Sequence, residues 1–492
     1  MKFISTRGGF EVDNAAQAIV NGLANDGGLF VPSSFPQLGV KLEEMLGMDY
    51  YQRACEVVYS FLEEYDYNEL LSACQKAYSQ FDNNEPAPVV KLDENLFVME
   101  LFHGPTLAFK DIALTLLPYL LRKGADLSGK KEKILILVAT SGDTGKAALE
   151  GFKNQDGISI IVFYPSDGVS DMQKAQMQTQ EGNNVKVVGI KGNFDDCQNA
   201  VKQIFSNKEI NQKLFEDNVI LSSANSINFG RLVPQISYYF SAYCDLVNSG
   251  EIKLGDKIDF VVPTGNFGNI LAGYYAKKMG LPVGKLVCAS NDNNVLTEFI
   301  CDGTYDINRE FFKTISPSMD IIISSNLERL VFELSNRNAK LTLKRMQALK
   351  DEGIYQIDAQ EKAQLNKDFY ANYCVEDDCR ATINYVYDEL GYVADTHTAV
   401  AFNVYFDYID QLKANKTVIL STASPFKFAQ DVLYALTDKK VKDAFTACNK
   451  LSEESALEIP LQIKELENKK PIHTDVIAKS QICEVVMDFV KE

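Results

Sequence analysis

Ile134-Leu135-Ile136-Leu137-Val138-Ala139, then Thr140-Ser141-Gly142-Asp143-Thr144-Gly145, then a helical pattern from Lys146, reads as strand, loop and helix in succession. The first segment is a β-rich apolar run, and the glycines that follow it interrupt any regular element. The same succession recurs along the chain. Ile158 to Tyr164 is a second strand. Val185 to Ile190 is a third, followed by a Gly-Asn turn and a helix around Gln198 to Phe205. Ile258 to Pro263 leads through a loop into a helix over Ile270 to Met279, and Val418 to Ser421 leads into a helix around Phe428 to Leu436. Alternation of this kind predicts an α/β fold with mainly parallel sheets. Ligands of such sheets sit at the carboxyl ends of the strands, so the loops are where chemistry is sought.

Outward from these units the pattern changes. Up to about residue 90 the spacing of Ala54, Val58, Phe61 and Leu62, and of Leu70, Cys74 and Tyr78, is helical. A Gly-rich turn, Asn25-Asp26-Gly27-Gly28, precedes these helices, and Asn84-Glu85-Pro86-Ala87-Pro88 marks a boundary because closely spaced prolines stop a helix. Residues 345–380 and 438–470 are rich in Lys, Glu and Asp and read as solvated helices.

The chain has 492 residues, which predicts two or three domains rather than one core. A net charge of −18 argues against nucleic acid or an anionic membrane as partner. No apolar run reaches membrane-spanning length and no signal core is visible at the N-terminus. The ten cysteines include no C-x-x-C pair, which fits reduced thiols and a cytoplasmic protein. Only His103, His397 and His473 are present, so a serine-protease-like triad or a His-rich metal site is poorly supported, and no metal is expected.

Four loops could carry chemistry. Phe102 to Asp111 follows a strand over Leu96 to Leu101 and precedes an apolar helix over Ile112 to Leu121, which places Lys110 near a helix start. A lysine there is unfavourable for the helix dipole, and apolar neighbours lower its pKa, as an amine that attacks an aldehyde requires. In Thr140 to Lys146, Gly142 and Gly145 let the backbone approach an anion at the helix start. A nucleotide P-loop needs a longer gap between its glycines and Ser or Thr after the lysine; here Ala147 follows Lys146. Pro263 to Asn269 is either an ordinary Gly-rich turn or a phosphate cradle built from successive amides. Ser421 to Phe428 offers a hydroxyl that either caps a helix or bonds a ring nitrogen.

Together these loops resemble the tryptophan-synthase-β-like group of pyridoxal-phosphate enzymes, fold type II, and within it the threonine synthase family. Further segments carry the likeness: Ser5 to Gly8, Gly22 to Pro32, Asn225 to Arg231, Ser316 to Asp320 and Ser325 to Arg329. Two positions depart from the family pattern. Thr396 stands where Pro is common before His397, and Ser424 stands where His is common before Pro425, which removes a possible proton donor.

The resemblance implies two parallel-sheet α/β domains flanking the cofactor. Residues 93–130 and 225–437 would form the large one and residues 131–224 the small one inserted in it. Mostly helical regions would lie at 1–92 and 438–492. It implies that Lys110 carries pyridoxal 5′-phosphate as a Schiff base and shuttles protons, and that Gly265, Asn266, Phe267, Gly268 and Asn269 hold the cofactor phosphate. Thr422, or failing it Ser421, would bond the pyridine nitrogen. Ser141, Asp143 and Thr144 would lie near the substrate carboxylate and the cofactor ring oxygen. Arg231, Ser325, Asn326, Arg329 and Lys146 would be available to the substrate phosphate, the alternative for each Arg being a structural salt bridge. The implied reaction turns O-phosphohomoserine and water into threonine and phosphate, in a monomer or homodimer whose domains close on the substrate. A phospho-lyase of the same fold giving 2-oxobutanoate and a catalytically silent phosphate-binding homologue are the rival expectations.

Overall fold

The carboxyl ends of two parallel sheets face the loops just described. The computed structural model describes residues 1–491 apart from Asn83, Asn84, Ser141, Asp167, Gly168 and Asn193, and apart from the side chains of Phe194, Asp195 and Ser206. The larger sheet runs in the order Phe369–Tyr373, Val283–Ser290, Ile258–Pro263, Lys416–Ser421, Leu96–Glu100, Val89–Lys91. All its neighbours are parallel except the edge strand Val89–Lys91. The smaller sheet is wholly parallel, in the order Val476–Ala478, Val185–Lys191, Ile158–Pro165, Lys133–Ala139, Val219–Ser222. The central strands are mostly apolar and buried on both faces, as parallel sheets require, with Asp259 the polar exception in Ile258–Pro263.

Between the sheets and the N-terminal helices runs the buried helix Phe229–Asn248. Its N-terminus explains the Asn225 to Arg231 motif. The Asn228 side chain accepts from Gly230 N at 2.8 Å and donates to Ile19 O and Ser223 O, both at 2.9 Å. One short side chain thus caps the helix and fastens helix Ala15–Asn21 to it.

Several sequence expectations are corrected. The N-terminal region, expected to be mostly helical, also carries a small sheet: Phe3–Ser5 pairs antiparallel with Glu11–Val12 and with Phe30–Pro32. These strands are two or three residues long, too short for a period of two to be read. The turn at residues 25–28 sets their register. Asp26 accepts from Ser5 Oγ and Gly9 N at 2.7 Å and from Gly28 N at 2.9 Å. Gly28 is obligatory there, since a Cβ would sit 2.1 Å from Ser5 Oγ. The expected helix Ile112 to Leu121 is two helices, Lys110–Leu114 and Leu117–Leu127. Pro118 lies in the first turn of the second, where its missing N–H has no partner to lose. The charged stretch 345–380 holds, besides helices, the strand Phe369–Tyr373 that edges the large sheet. Beyond residue 438 the chain is helical over Ala444–Ser455, Leu461–Glu467 and Ile482–Lys491, but Val476–Ala478 adds a strand to the small sheet.

The N-terminal motif docks onto a distant one. Arg7 holds Glu328 in a fork, Nε to Oε1 at 3.0 Å and Nη2 to Oε2 at 2.8 Å, and Thr6 Oγ1 donates to Glu328 Oε1 at 2.5 Å. Paired planar groups of this kind give geometric specificity as well as energy. The Ser5 to Gly8 and Ser325 to Arg329 motifs are thus two halves of one structural junction.

Candidate active site

The Lys110 loop is zipped to the late loop by backbone bonds. Phe109 N donates to Thr422 O at 2.9 Å, Ser424 N donates to Leu107 O at 3.1 Å, and Ala108 and Ala423 form an antiparallel bridge. This pairing, not sequence proximity, brings Lys110 beside Thr422. Lys110 is the first residue of its helix, and its side chain is 11 % exposed. Its ammonium lies 3.5 Å from Asp143 Oδ2, 3.5 Å from Ser318 Oγ and 4.8 Å from the Phe109 ring centre. Burial pushes the Lys110 ammonium below its ordinary value. The Asp143 carboxylate opposes that shift, and the charges of Lys427 and Arg231 add to it.

Asp143 is the hub of the site. Its Oδ1 meets Lys427 Nζ at 2.7 Å and accepts from Gln173 Nε2 at 3.1 Å, and its Oδ2 accepts from Ser318 Oγ at 3.0 Å. Burial alone would raise this carboxyl, yet Lys427 and Lys110 hold it well below the usual carboxylate range. Asp143 is therefore an anion committed to two lysines, which makes it a poor neighbour for a substrate carboxylate. The donors left at the start of helix Asp143–Phe152 are the amides of Asp143 and Thr144 and the Thr144 hydroxyl, none of which has a partner among the described residues. Ser141 lies outside the described residues.

Ser318, in the Ser316 to Asp320 motif, continues the network. Its amide donates to His397 Nε2 at 3.1 Å, and His397 Nδ1 lies 2.9 Å from Asp395 Oδ1. With Nε2 accepting, the ring proton is on Nδ1 and points at Asp395. The other oxygen of Asp395 takes the Thr398 hydroxyl, which lies 3.1 Å from Ser421 Oγ. Ser421 also accepts from Tyr392 OH at 3.2 Å. Ser421 is thus occupied. The Thr422 hydroxyl makes no hydrogen bond among the described residues although the residue is 6 % exposed.

Around Pro263 to Asn269 the backbone turns on Phe267, whose φ of 60° is left-handed, at the start of helix Gly268–Lys278. A non-glycine residue in that region costs about 1–3 kcal/mol and is found where a site requires it. The amides of Gly265, Asn266, Phe267, Gly268 and Asn269 have no acceptor among the described residues. The buried Asn269 Nδ2 is also without one, because Tyr238 and Tyr239 both donate to its Oδ1. Gly265 packs so closely that a Cβ would lie 2.7 Å from Ser318 O. A run of free amides at a helix start is what a phosphate monoester needs, so the residues present fit the cofactor phosphate.

The residues expected at the substrate phosphate separate. Arg231 is buried, donates Nη1 to Ala224 O at 2.9 Å, and leaves Nε without a partner. No carboxylate pairs with it among the described residues, and burial lowers its guanidinium to about 10. Arg329 is wholly buried and committed to structure, with Nε on Phe30 O at 3.0 Å, Nη2 on Ile227 O at 2.6 Å and Nη1 on Asn326 Oδ1. Asn326 in turn supports the cradle, donating to Asn266 O from N at 3.2 Å and from Nδ2 at 3.0 Å. Ser325 is half-buried and donates to Asn266 Oδ1 at 3.3 Å. Lys146 is paired with Glu150 at 3.1 Å and with Gln180 Oε1 at 2.5 Å, so its charge is already satisfied. Sequence reading assigned no role to Ser318, His397 or Lys427. The one available signal was that each lies in or beside a motif already singled out.

Over residues 81–423 the chain matches the family of pyridoxal-phosphate dependent enzymes. Residues 2–78 match the threonine synthase N terminus, and residues 398–488 match the threonine synthase C-terminal region. Fold and site thus define a fold type II pyridoxal-phosphate enzyme. Threonine synthase of Saccharomyces cerevisiae is 38% identical over 450 residues, 86% of each chain. Human Threonine synthase-like 1 is 42% identical over 440 residues, 87% of this chain, but the match spans 58% of that protein's length. The crystal structure of PLP-bound threonine synthase from Brucella melitensis superimposes with a TM-score of 0.88 at 37% identity, covering 100% of this chain and 99% of that one. The chain belongs to the threonine synthase family.

Proposed function

We propose that this chain converts O-phospho-L-homoserine and water to L-threonine and phosphate. The observation that carries this reading is the pairing of a buried Lys110, whose ammonium burial pushes below its ordinary value, with two separate anion receptors, the free-amide cradle at 265–269 and Arg231, which pairs with no carboxylate among the described residues. One receptor suits the cofactor phosphate and the other a phosphorylated substrate. Family membership supports the same reading.

Lys110 holds the cofactor, and the amides of 265–269 bind its phosphate. The cofactor supplies a sink for the electrons released when a proton leaves the substrate. Lys110 takes the Cα proton and returns protons, with Asp143 and Ser318 orienting its nitrogen. The amides of Asp143 and Thr144 receive the substrate carboxylate, and Arg231 receives the phosphate. Water must stay out until phosphate has left. Groups from the small-sheet helix Asp143–Phe152 and from the large-sheet loops meet at Lys110, which supports closure of the two sheets on the substrate. The ten cysteines are free thiols, which supports a cytoplasmic location.

Incubation of the purified protein with O-phosphohomoserine is expected to yield threonine and phosphate in equal amounts. Accumulation of 2-oxobutanoate would instead identify a phospho-lyase, and the absence of any product a silent homologue. For the ring nitrogen, the unoccupied hydroxyl of Thr422 favours it over Ser421. Thr422→Val should lower kcat by about tenfold, the worth of one buried hydrogen bond in the reacting complex. Ser421→Ala should cost less; the reverse order would move the role to Ser421.

A further inference from the structure

Among the described residues, Lys427 is the one wholly buried lysine whose charge the reaction just described leaves unused. Its side chain is 0% exposed, and its ammonium bonds Asp143 Oδ1 at 2.7 Å and Thr106 O at 2.9 Å. An ammonium in such a place is costly unless every proton and charge around it is matched. The charged and titratable groups facing it come from several elements. Helix Lys110–Leu114 brings Lys110 and Asp111 and helix Asp143–Phe152 brings Asp143, while Arg231 of helix Phe229–Asn248 acts on Lys110 and His397 of helix Thr396–Gln411 acts on Asp143. Asp111 is itself held by Thr106 N at 2.8 Å and by Thr106 Oγ1 at 2.5 Å. Burial raises its carboxyl to about 6, although these bonds and Lys427 work against the rise.

The consequence falls on Asp143. A carboxylate whose only cation was Lys110 would hold the Lys110 proton. Here the tighter bond goes to Lys427, 2.7 Å against 3.5 Å, and the oxygen nearer Lys110 is shared with Ser318. Asp143 can then orient the Lys110 nitrogen without fixing a proton on it.

We propose that Lys427 is a positioning residue that neutralises Asp143 and so sets the protonation of the Lys110 nitrogen. The proposal rests on the role given to Lys110 above, but its test needs no substrate. The visible absorbance of the bound cofactor reports the proton on the nitrogen that joins it to Lys110, and its midpoint is read by titrating the holoenzyme with pH.

Lys427→Met removes a cation and frees Asp143 to bind that proton, so the midpoint should rise by about one unit or more. Lys427→Arg keeps the charge and should bring the midpoint back toward wild type. Asp143→Asn should move it the opposite way, downward. Thermal unfolding of each variant separates these shifts from loss of fold. A folded Lys427→Met holoenzyme with the wild-type midpoint would overturn the proposal, as would a Lys427→Arg shift equal to that of Lys427→Met. If Lys427→Met does not fold, Asp143→Asn decides, and an unmoved midpoint there overturns it. A shifted midpoint in a protein that makes no threonine would leave this proposal standing and remove the proposed function. Threonine formation with an unmoved midpoint would do the reverse.

Discussion

Lys110→Ala should lose the absorbance of the covalently held cofactor, and turnover of O-phosphohomoserine should fall by about 10³-fold or more, since the change removes both the nucleophilic amine and the general base. The fold should survive, because Lys110 opens its helix and alanine is the best helix former. Among the described residues near the site no second amine stands ready. Lys427 is locked by two bonds at zero exposure, and Lys146 is bound to Glu150 and Gln180. Spectra and threonine assays on the same preparation test this directly. Turnover within tenfold of wild type would remove Lys110 from the chemistry.

The second large effect is expected on stability. Arg329→Met should destabilise the protein by about 3–5 kcal/mol, because it strips the donors from Phe30 O, Ile227 O and Asn326 Oδ1 in a wholly buried place. These acceptors belong to the N-terminal sheet, the cap of the central helix and the support of the phosphate cradle, so one side chain ties three parts together. Urea unfolding should show a lower midpoint, and cofactor affinity should fall with it because Asn326 braces Asn266 O. A variant with unchanged unfolding but a steeply raised KM would return Arg329 to the substrate phosphate. Of these two arginines, Arg231, with its unpartnered Nε, is the one proposed for that anion.

These two arginines show where sequence reading stops. Both lie in motifs of the same family pattern, and nothing local distinguishes them. Their difference is set by what packs around each: carbonyls from residues roughly 100 and 300 positions away for Arg329, and for Arg231 a buried place that leaves Nε without a partner and its charge felt at Lys110. Asp143 is similar. The family resemblance put it near the substrate carboxylate, and only the folded chain sets Lys427 against it.

The sequence by itself determined the strands at 134–139, 158–164, 185–190, 258–263 and 418–421 and the loops and helices that follow them, because the apolar period and the punctuating glycines are local properties of the chain. It also marked Lys110, the 265–269 turn and the hydroxyls at 421–422 as the chemically capable loops. The tertiary structure decided which of these groups are free and which are taken. Among the described residues the Thr422 hydroxyl is free and Ser421 occupied, Arg231 lacks a carboxylate and Arg329 is committed, and Lys427 is locked while burial lowers Lys110. The reason is physical. Hydrogen bonding and charge inside a protein depend on burial and on distances of a few ångströms between residues remote in the chain, and neither is written in local spacing.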